Sequence, residues 1–504
     1  MMMAGAQKSL LNQIYPGLVA VLALSVALLV AQFSAGIAAG LVLGGILAFA
    51  GMAHYEVLVH ALIVLLPLQS ALPYSYQSLQ TFNPFNALAS VIFALWFVNA
   101  IIKRKQLLHG SAMNFALFFF SVICLAALFQ TATAAGTAFM EDQINSLKRW
   151  LSPMLLFFPI ANADFSRRAI KRMITTVLMM CGVVTLWTIK DLIALGWAEI
   201  SEENRIGGPF GFGGENDLAA FFVYYPILTL SIGLLETRLH RRIPLLGIFA
   251  LAMICLLLLL SRGAYLGMMI VLMFMALVRF RWMIPGLVLA AIFYQFWTPG
   301  AVQERMESTQ IITANESVGG RVPAPYEPER NLETSSALRW RIWRGAVRII
   351  ENHPFGGIGY NTFSLAIPKY ANIERNMDAH NMFLRVAAEM GLPGLLSFLS
   401  LLFIPFRAMQ HVYRTTADRF MRGWMLGGMA SLLGIIVVNF FGSRFVREEL
   451  VGLYWVIVAL TYAYIYLRRR RVARLQQVQA LKLTTAATTN YRLKPAPLLL
   501  HGKN

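Results

Sequence analysis

The chain consists largely of apolar runs, each about the length of a membrane-spanning helix, that short basic runs separate. A helix that crosses a bilayer needs about 20 predominantly apolar residues. Only 13% of the residues are charged and the mean hydropathy is +0.61, whereas soluble proteins carry about a quarter charged residues. The pattern therefore predicts an all-α polytopic membrane protein.

About fourteen intervals are candidate spans, and we expect about 12–14 transmembrane helices. They lie near residues 15–33, 36–52, 54–72, 86–102, 113–134, 148–162, 170–188, 217–235, 243–260, 263–279, 283–297, 392–406, 423–441 and 450–467. The first interval is expected to be an uncleaved helix, because no small-residue cleavage site follows it.

The positive charge of the chain indicates its orientation. The net charge is +19, and the basic residues lie in short runs between apolar intervals. These runs are 103–105, 167–172, 238–242, 279–281 and 468–474. The positive-inside rule places them on the cytoplasmic side, and the even number of spans places both termini there. We therefore expect these basic residues to contact membrane lipids, and we expect no nucleic acid partner.

This orientation divides the chain into five predicted parts. They are N-terminal transmembrane helices (1–200), transmembrane helices with outer-face arginines (201–297), a large outer loop (298–391), C-terminal transmembrane helices (392–474) and a cytoplasmic tail (475–504). The outer loop begins with a Pro-, Gly- and Ser-rich stretch over 308–335. An amphipathic helix follows, with Trp340, Trp343, Val347 and Ile350 on its apolar side, and is expected to lie on the outer membrane surface.

His380 is the first candidate for chemistry in the outer loop. It precedes an apolar helix in the sequence DAHNMFLRVAAEM, for which Asp378 is a plausible N-cap. A histidine with a pKa near 6.5 suits proton abstraction at neutral pH. The alternative is a histidine at a helix cap that takes part in no chemistry.

Arginines at the predicted outer ends of helices are the second group of candidates. Arg262 lies between two apolar runs, where an ionisable residue marks a functional site unless it only extends to the membrane surface. Arg205 precedes a glycine-rich loop and Asn216 begins the next helix, a combination that can bind an anion. Arg339 lies off the exposed face of its amphipathic helix. Weaker candidates are Lys148 and Arg149.

These residues together indicate a chemistry. Arginines bind phosphate oxygens bidentately and can stabilise a departing diphosphate, and a histidine can take the proton of an attacking hydroxyl. All three cysteines fall in apolar runs, and no cluster of residues has metal-ligand spacing. We therefore expect no cofactor and no metal site.

The motifs resemble those of the O-antigen ligase and polymerase superfamily. The resemblance rests on the run from RWRIW at residue 339 through NHPFGGIGYNTF to HNMFLRVAAEMGLPGLL, together with GFGGENDLAAF and SRGAYLG. It covers roughly residues 200 to 400. It implies a GT-C-type, metal-independent glycosyltransferase that takes a glycan from undecaprenyl diphosphate on the periplasmic side of a bacterial inner membrane.

The resemblance also implies roles for individual residues. His380 would activate the acceptor hydroxyl, and Arg262 and Arg205 would hold the donor diphosphate. The supporting residues would be Arg339, Asn381, Asn216 and Glu389. A ligase would use lipid A-core as acceptor and a polymerase would use another lipid-linked repeat, so the product would be a surface polysaccharide such as lipopolysaccharide or exopolysaccharide.

Other functions remain open at this stage. A related enzyme could glycosylate protein hydroxyls. A transporter or flippase of lipid-linked glycans would also bind diphosphate, although transporters tend to carry ionisable residues near the bilayer midplane. A structural membrane protein could use the outer loop to bind a partner.

Overall fold

The computed structural model describes residues 55–71, 84–104, 106–196, 199–201, 204–211, 213–293, 334–371 and 377–492, together with the single residues 45, 51, 296 and 303. Within these residues all regular structure is helical. Eight helical segments are long and apolar enough to cross a membrane, and three further apolar helices are shorter. The prediction of an all-α polytopic membrane protein is confirmed. The predicted spans 15–33 and 36–52 and most of the Pro-rich stretch 308–335 lie outside the described residues.

The first nine described helices alternate with short connections. They are α1 (Glu56–Leu68), α2 (Pro84–Ile102), α3 (Ala112–Ala135), α4 (Thr137–Leu155), α5 (Phe157–Ala161), α6 (Arg167–Leu195), α7 (Glu215–Tyr224), α8 (Pro226–Leu235) and α9 (Leu239–Leu258). Helices α7 and α8 together form one span, which is interrupted at Pro226 because proline has no backbone N–H to continue the helical ladder.

Seven further helices complete the described part of the chain. They are α10 (Arg262–Val278), α11 (Met283–Ile292), α12 (Thr334–Asn352), α13 (Phe363–Ala371), α14 (Met382–Thr415), α15 (Arg419–Phe440) and α16 (Glu448–Arg492). Helix α14 begins ten residues before the predicted span 392–406, and α16 continues well beyond 450–467 into the predicted tail.

The predicted span 148–162 is wrong in its bounds. Helices α4 and α5 together cover 137–161, and their polar first half keeps them out of the set of apolar spans. Together, α4 and α5 nevertheless carry the chain from one end of the bundle to the other. Tyr360 contacts Ser146 of α4 and bonds to Ala127 in the second half of α3, whereas Asn162, directly after α5, bonds to His109 before α3.

Helix α15 lies at the centre of the bundle and packs on α8, α10 and α14. Its glycines allow close approach. A Cβ at Gly423 would meet the Ile232 backbone, and one at Gly427 would meet the Leu228 backbone. Small residues at such contacts let helices pack tightly in a membrane, where the hydrophobic effect does not drive helices together. Helix α8 therefore approaches α15 at backbone distance at both glycines.

One end of the bundle, which we call the basic end, contains the ion pairs of two predicted cytoplasmic runs. Asp418 accepts from Arg167 at 2.6 Å and from Lys171 at 2.8 Å. Arg470 pairs with Asp164. Two basic runs that are about 300 residues apart in the chain are thus neighbours, as helix alternation requires.

Helix α12 differs from its predicted orientation. The stripe Ile342, Ala346 and Ile349 is fully buried against α13 and α14, whereas Trp340 and Val347 of the predicted apolar side remain 40% and 44% exposed. The helix therefore packs on the protein through a stripe that the sequence analysis did not single out.

A turn over residues 354–360 packs against a break in α14 at Gly391, which has φ +70°. Ile358 N donates to Ala388 O at 2.9 Å and Leu392 N donates to Pro354 O at 2.7 Å. These bonds pair backbone groups that the break would otherwise leave unpaired, and such groups are costly away from water. The turn and the start of α14 therefore form one unit.

Replacing Gly391 with alanine should disrupt this unit. A Cβ at Gly391 would overlap the Phe355 carbonyl, and the positive φ adds strain of about 1–3 kcal/mol. We expect Gly391→Ala to lower the thermal unfolding midpoint in detergent by several degrees. The control is Gly247→Ala, because a Cβ at Gly247 has nothing within 4 Å and alanine favours helix. Equal midpoints for both variants would contradict the strain argument.

Candidate functional site

A cavity of about 250 Å³ opens at the end of the bundle opposite the basic end. The direction of α15 shows this, since it begins beside Asp418 and ends beside Phe441 in the cavity wall. The lining residues are Arg205, Asn216, Ala220, Leu260, Ser261, Arg262, Gly263, Ala264, Arg339, Val438, Phe441 and Arg444. Four of them are arginines and none is acidic, so we call this site the arginine cavity.

The four arginines come from four separate parts of the chain and are all half-buried. Guanidinium groups bind phosphate oxygens in a planar, bidentate geometry and remain charged when partly buried. Charges partly removed from water interact more strongly with an opposite charge than they would at an open surface. The arrangement therefore suits an anion with several negative charges.

Arg205 is positioned by the glycine-rich loop and by the start of α7. Its Nη1 donates to Asn216 Oδ1 at 3.2 Å, and its Nε is buried with no hydrogen-bond partner among the described residues. The loop must contain glycines, because a Cβ at Gly207 would overlap the Gly211 carbonyl. Both predicted residues, Arg205 and Asn216, thus lie in one wall of the cavity, next to a helix N-terminus.

Arg262 is the first residue of α10 and also lines the cavity. Leu260, two residues before it, has φ +49° and turns the chain from α9 into α10. Gly263 lets α10 approach Phe441, whose side chain is 3.4 Å from the position of a Cβ at that glycine. The predicted outer-end arginine therefore lines the cavity together with Arg205.

Arg339 reaches the cavity from α12. Trp343, one turn further along this helix, packs its ring against Phe440 and Phe441 at centroid distances of 5.8 and 6.4 Å. Its Nε1 also donates to Ala379 O at 3.1 Å. Trp343 thus links the wall of the arginine cavity to the residue before His380.

Arg444 is a lining residue that the sequence analysis missed. Its Nη1 contacts Asp217 Oδ1 at 2.9 Å, and its backbone N donates to Asn439 Oδ1 at 2.9 Å. Asp217 and Asn439 are both almost fully buried, so they hold Arg444 in place. The available signal was its position between the predicted spans 423–441 and 450–467. Alternation from the cytoplasmic run 468–474 places this connection on the outer side, where the positive-inside rule disfavours arginine.

His380 lies beside the arginine cavity, although it is not one of the lining residues. It precedes Asn381, which is the N-cap of α14 and accepts from Phe383 N at 3.0 Å and Leu384 N at 3.1 Å. The prediction that Asp378 is the N-cap of this helix is wrong. Asp378 instead accepts from His380 N at 3.0 Å, because the chain turns there before the helix begins.

Several neighbours determine the charge state of His380. Partial burial lowers the pKa of the imidazole, Asp378 opposes this, and the positive charges of Arg339 and Arg444 lower the pKa further. The lowered pKa favours the neutral imidazole at neutral pH, and a neutral imidazole has one nitrogen that can accept a proton. Two arginines of the cavity are close enough to affect this histidine electrostatically, which connects the two parts of the site.

Glu389 lies away from the cavity lining. It is 3% exposed and accepts from Arg385 Nε at 3.3 Å and Phe363 N at 3.4 Å, and its carbonyl accepts from Gly359 N at 3.0 Å. The structure thus places this predicted site residue in the contact between the 354–360 turn and α14.

The weaker candidates Lys148 and Arg149 lie outside the lining of the arginine cavity. Both are near the carboxylate of Glu448 at the start of α16. Among the described residues, no group of three or more His, Cys, Asp or Glu side chains is placed to hold a metal ion.

The fold and the site together define a polytopic helical membrane protein with an arginine-lined cavity and a nearby histidine at one end of its bundle. Residues 247–399 match the family described as O-antigen ligase. The resemblance to the O-antigen ligase and polymerase superfamily is therefore confirmed over this segment, which includes Arg262, Arg339 and His380.

The match does not include the whole site. Arg205 and Asn216 precede the matched segment and Arg444 follows it. No curated protein matches the chain.

An inorganic anion can test the cavity directly. We expect diphosphate to raise the thermal midpoint of the purified protein, because a ligand that binds only the folded state stabilises it by about 2.7 kcal/mol at 100 times its Kd. Arg262→Gln should raise the concentration needed for half the shift at least tenfold. Arg279→Gln, at the other end of α10, is the matched control and should behave as wild type. Equal responses of the two variants would exclude Arg262 from the anion site.

Proposed function

We propose that this protein is a glycosyltransferase of the O-antigen ligase and polymerase type. It moves a glycan from undecaprenyl diphosphate to an acceptor hydroxyl at the periplasmic face of a bacterial inner membrane, and it needs no metal. The observation that carries the proposal is the arginine cavity beside His380, in and around a segment that matches the O-antigen ligase family.

The donor diphosphate would occupy the arginine cavity. Arg262 and Arg205 would bind its oxygens, and Arg339 and Arg444 would add charge from the side nearest His380. The lining contains no carboxylate, and Asp217, which pairs with Arg444, lies outside it. Stabilising charge that develops on a leaving group is often the largest contribution to catalysis.

The acceptor would react on the side of His380. The acceptor oxygen attacks the anomeric carbon of the glycan while the neutral imidazole takes the hydroxyl proton. The bond from that carbon to the diphosphate oxygen breaks, and the electron pair leaves with undecaprenyl diphosphate. Proton transfer to a positioned base typically contributes about 10²- to 10⁴-fold in rate.

The remaining predicted residues would act through those that touch the donor or acceptor. Asn216 holds Arg205, and Asn381 caps the helix that follows His380. Glu389 stabilises the contact between the 354–360 turn and α14. Losses at these positions would therefore reflect misplacement of the groups that react.

The orientation rests on the distribution of charge. The basic runs 167–172 and 468–474 meet at the basic end, and the arginine cavity lies at the other end. The positive-inside rule then favours a cytoplasmic basic end and a periplasmic cavity.

A transfer assay tests the reaction itself. We expect purified protein in nanodiscs, supplied with an undecaprenyl-diphosphate oligosaccharide and an acceptor, to release undecaprenyl diphosphate. His380→Ala should reduce this rate by about 10²- to 10⁴-fold, and Arg262→Ala by about 10²- to 10³-fold. His353→Ala and Arg279→Ala are the matched controls, because both residues are exposed and lie outside the cavity lining.

The acceptors in this assay separate the candidate reactions. Turnover with lipid A-core identifies a ligase, turnover with the lipid-linked repeat alone identifies a polymerase, and turnover with a protein hydroxyl identifies a protein glycosyltransferase. A rate unchanged by EDTA is expected. Full activity of both site variants would overturn the residue assignments. Absence of turnover with every acceptor, together with movement of the donor between leaflets, would favour a transporter.

Cysteine labelling tests the orientation. The native cysteines are buried, whereas Phe355 in the outer loop is 79% exposed and Val478 in α16 is 50% exposed. We expect a membrane-impermeant maleimide to label Phe355→Cys in spheroplasts and to label Val478→Cys only after permeabilisation. The reverse pattern would place the arginine cavity in the cytoplasm.

A further inference from the structure

We propose that Asp378 is the positioning residue of His380, which fixes the orientation of the imidazole and stabilises the imidazolium formed when the acceptor loses its proton. This inference rests on the proposed function. Asp378 was considered from the sequence only as a helix cap, and the structure gives that place to Asn381.

Both carboxylate oxygens of Asp378 have defined neighbours. Oδ2 accepts from His380 N at 3.0 Å and lies 3.9 Å from His380 Nδ1. The second distance is too long for a hydrogen bond, but hydrogen bonds in a catalytic site commonly shorten when the reacting complex forms. The carboxylate therefore lies on the Nδ1 side of the ring and leaves Nε2 available to the acceptor.

Asp378 is held by a partly buried network. Its Oδ1 is 3.4 Å from Arg385 Nη1. The same guanidinium contacts Asn361 Oδ1 at 2.5 Å and Glu389 Oε1 at 3.3 Å, and Asn361 Nδ2 donates to Gln143 Oε1 at 2.5 Å. Arg385 is thus fixed by Glu389 of α14 and by Asn361, which follows the 354–360 turn and is itself held by Gln143 of α4. The guanidinium limits the movement of the carboxylate.

The backbone at His380 also depends on this aspartate. His380 has φ +49°, a conformation that costs about 1–3 kcal/mol for a residue other than glycine. The Asp378 side chain bonds to its N–H and Asn381 begins the helix immediately after it, so flanking side chains hold both sides of the strained residue. The strain directs the imidazole out of the helix path.

The charge of Asp378 is opposite in sign to the charges of the two arginines near His380. Among the described residues, three charged side chains act on the imidazole: Asp378 stabilises its protonated form, and Arg339 and Arg444 oppose it. Asp378 is therefore the acidic group that offsets two arginines when Nε2 takes a proton. In that step the proton moves from the acceptor oxygen to Nε2, and Nδ1–H turns its positive charge toward the carboxylate.

The test is the pH dependence of kcat/KM for wild type and Asp378→Asn. The amide keeps an oxygen for His380 N and removes the negative charge. We expect kcat to fall about tenfold or more without a comparable change in donor KM. We also expect the acid limb to move to lower pH, because activity requires neutral His380 and loss of the carboxylate lowers the pKa of the imidazole. A merely structural role would leave the limb in place.

Two further variants distinguish failure of this inference from failure of the proposed function. Asp378→Glu retains the charge and should keep the acid limb near its wild-type position, and a limb displaced to lower pH in this variant would overturn the inference even if Asp378→Asn fails to fold. His380→Asn is measured in parallel. Full activity of His380→Asn would end the proposed function as well as this inference. An inactive His380→Asn with an unmoved limb in Asp378→Asn would end this inference alone.

Discussion

A helix that breaks within a bilayer protein must pair its free backbone groups with other parts of the protein, because hydrocarbon supplies no partners. The break at Gly391 meets this requirement through the 354–360 turn, whose backbone N–H groups and carbonyls bond to α14 on both sides of the break. This pairing orients the first turns of α14, and His380 immediately precedes them. The position of the candidate base therefore depends on a backbone constraint that involves no part of its own side chain.

The positively charged side chains have different surroundings at the two ends of the bundle. At the basic end, Asp418 and Asp164 neutralise arginines and a lysine of two predicted cytoplasmic runs. At the other end, four arginines line the cavity, and no acidic residue does. Asp217 contacts Arg444 from behind the lining, so it anchors one arginine and leaves the cavity open to an anion. This asymmetry separates charges that orient the protein from charges that can bind a ligand.

Much of the fold and part of the site follow from the sequence. Apolar length predicted most spans, and polar residues at predicted outer ends identified Arg205, Arg262 and Arg339, which the structure brings to one cavity. Arg444 was missed because its contact with Asp217 joins residues more than 200 positions apart. The bounds of α4 were wrong because its first half is polar and largely exposed, so hydropathy does not mark where the helix begins. The cap of α14 was misassigned because two candidate side chains, Asp378 and Asn381, precede it, and only the backbone conformation distinguishes them.

The position of Arg339 and Arg444 between the cavity and His380 has a thermodynamic consequence. Both side chains line the cavity and both lower the pKa of His380. An anion bound in the cavity offsets their positive charge, so it raises this pKa and makes the imidazole a stronger base. Linkage makes the effect reciprocal, and protonation of His380 strengthens anion binding by the same factor. On the proposed function, the empty protein thus holds a weaker base than the loaded one, and the donor itself prepares the site for the acceptor.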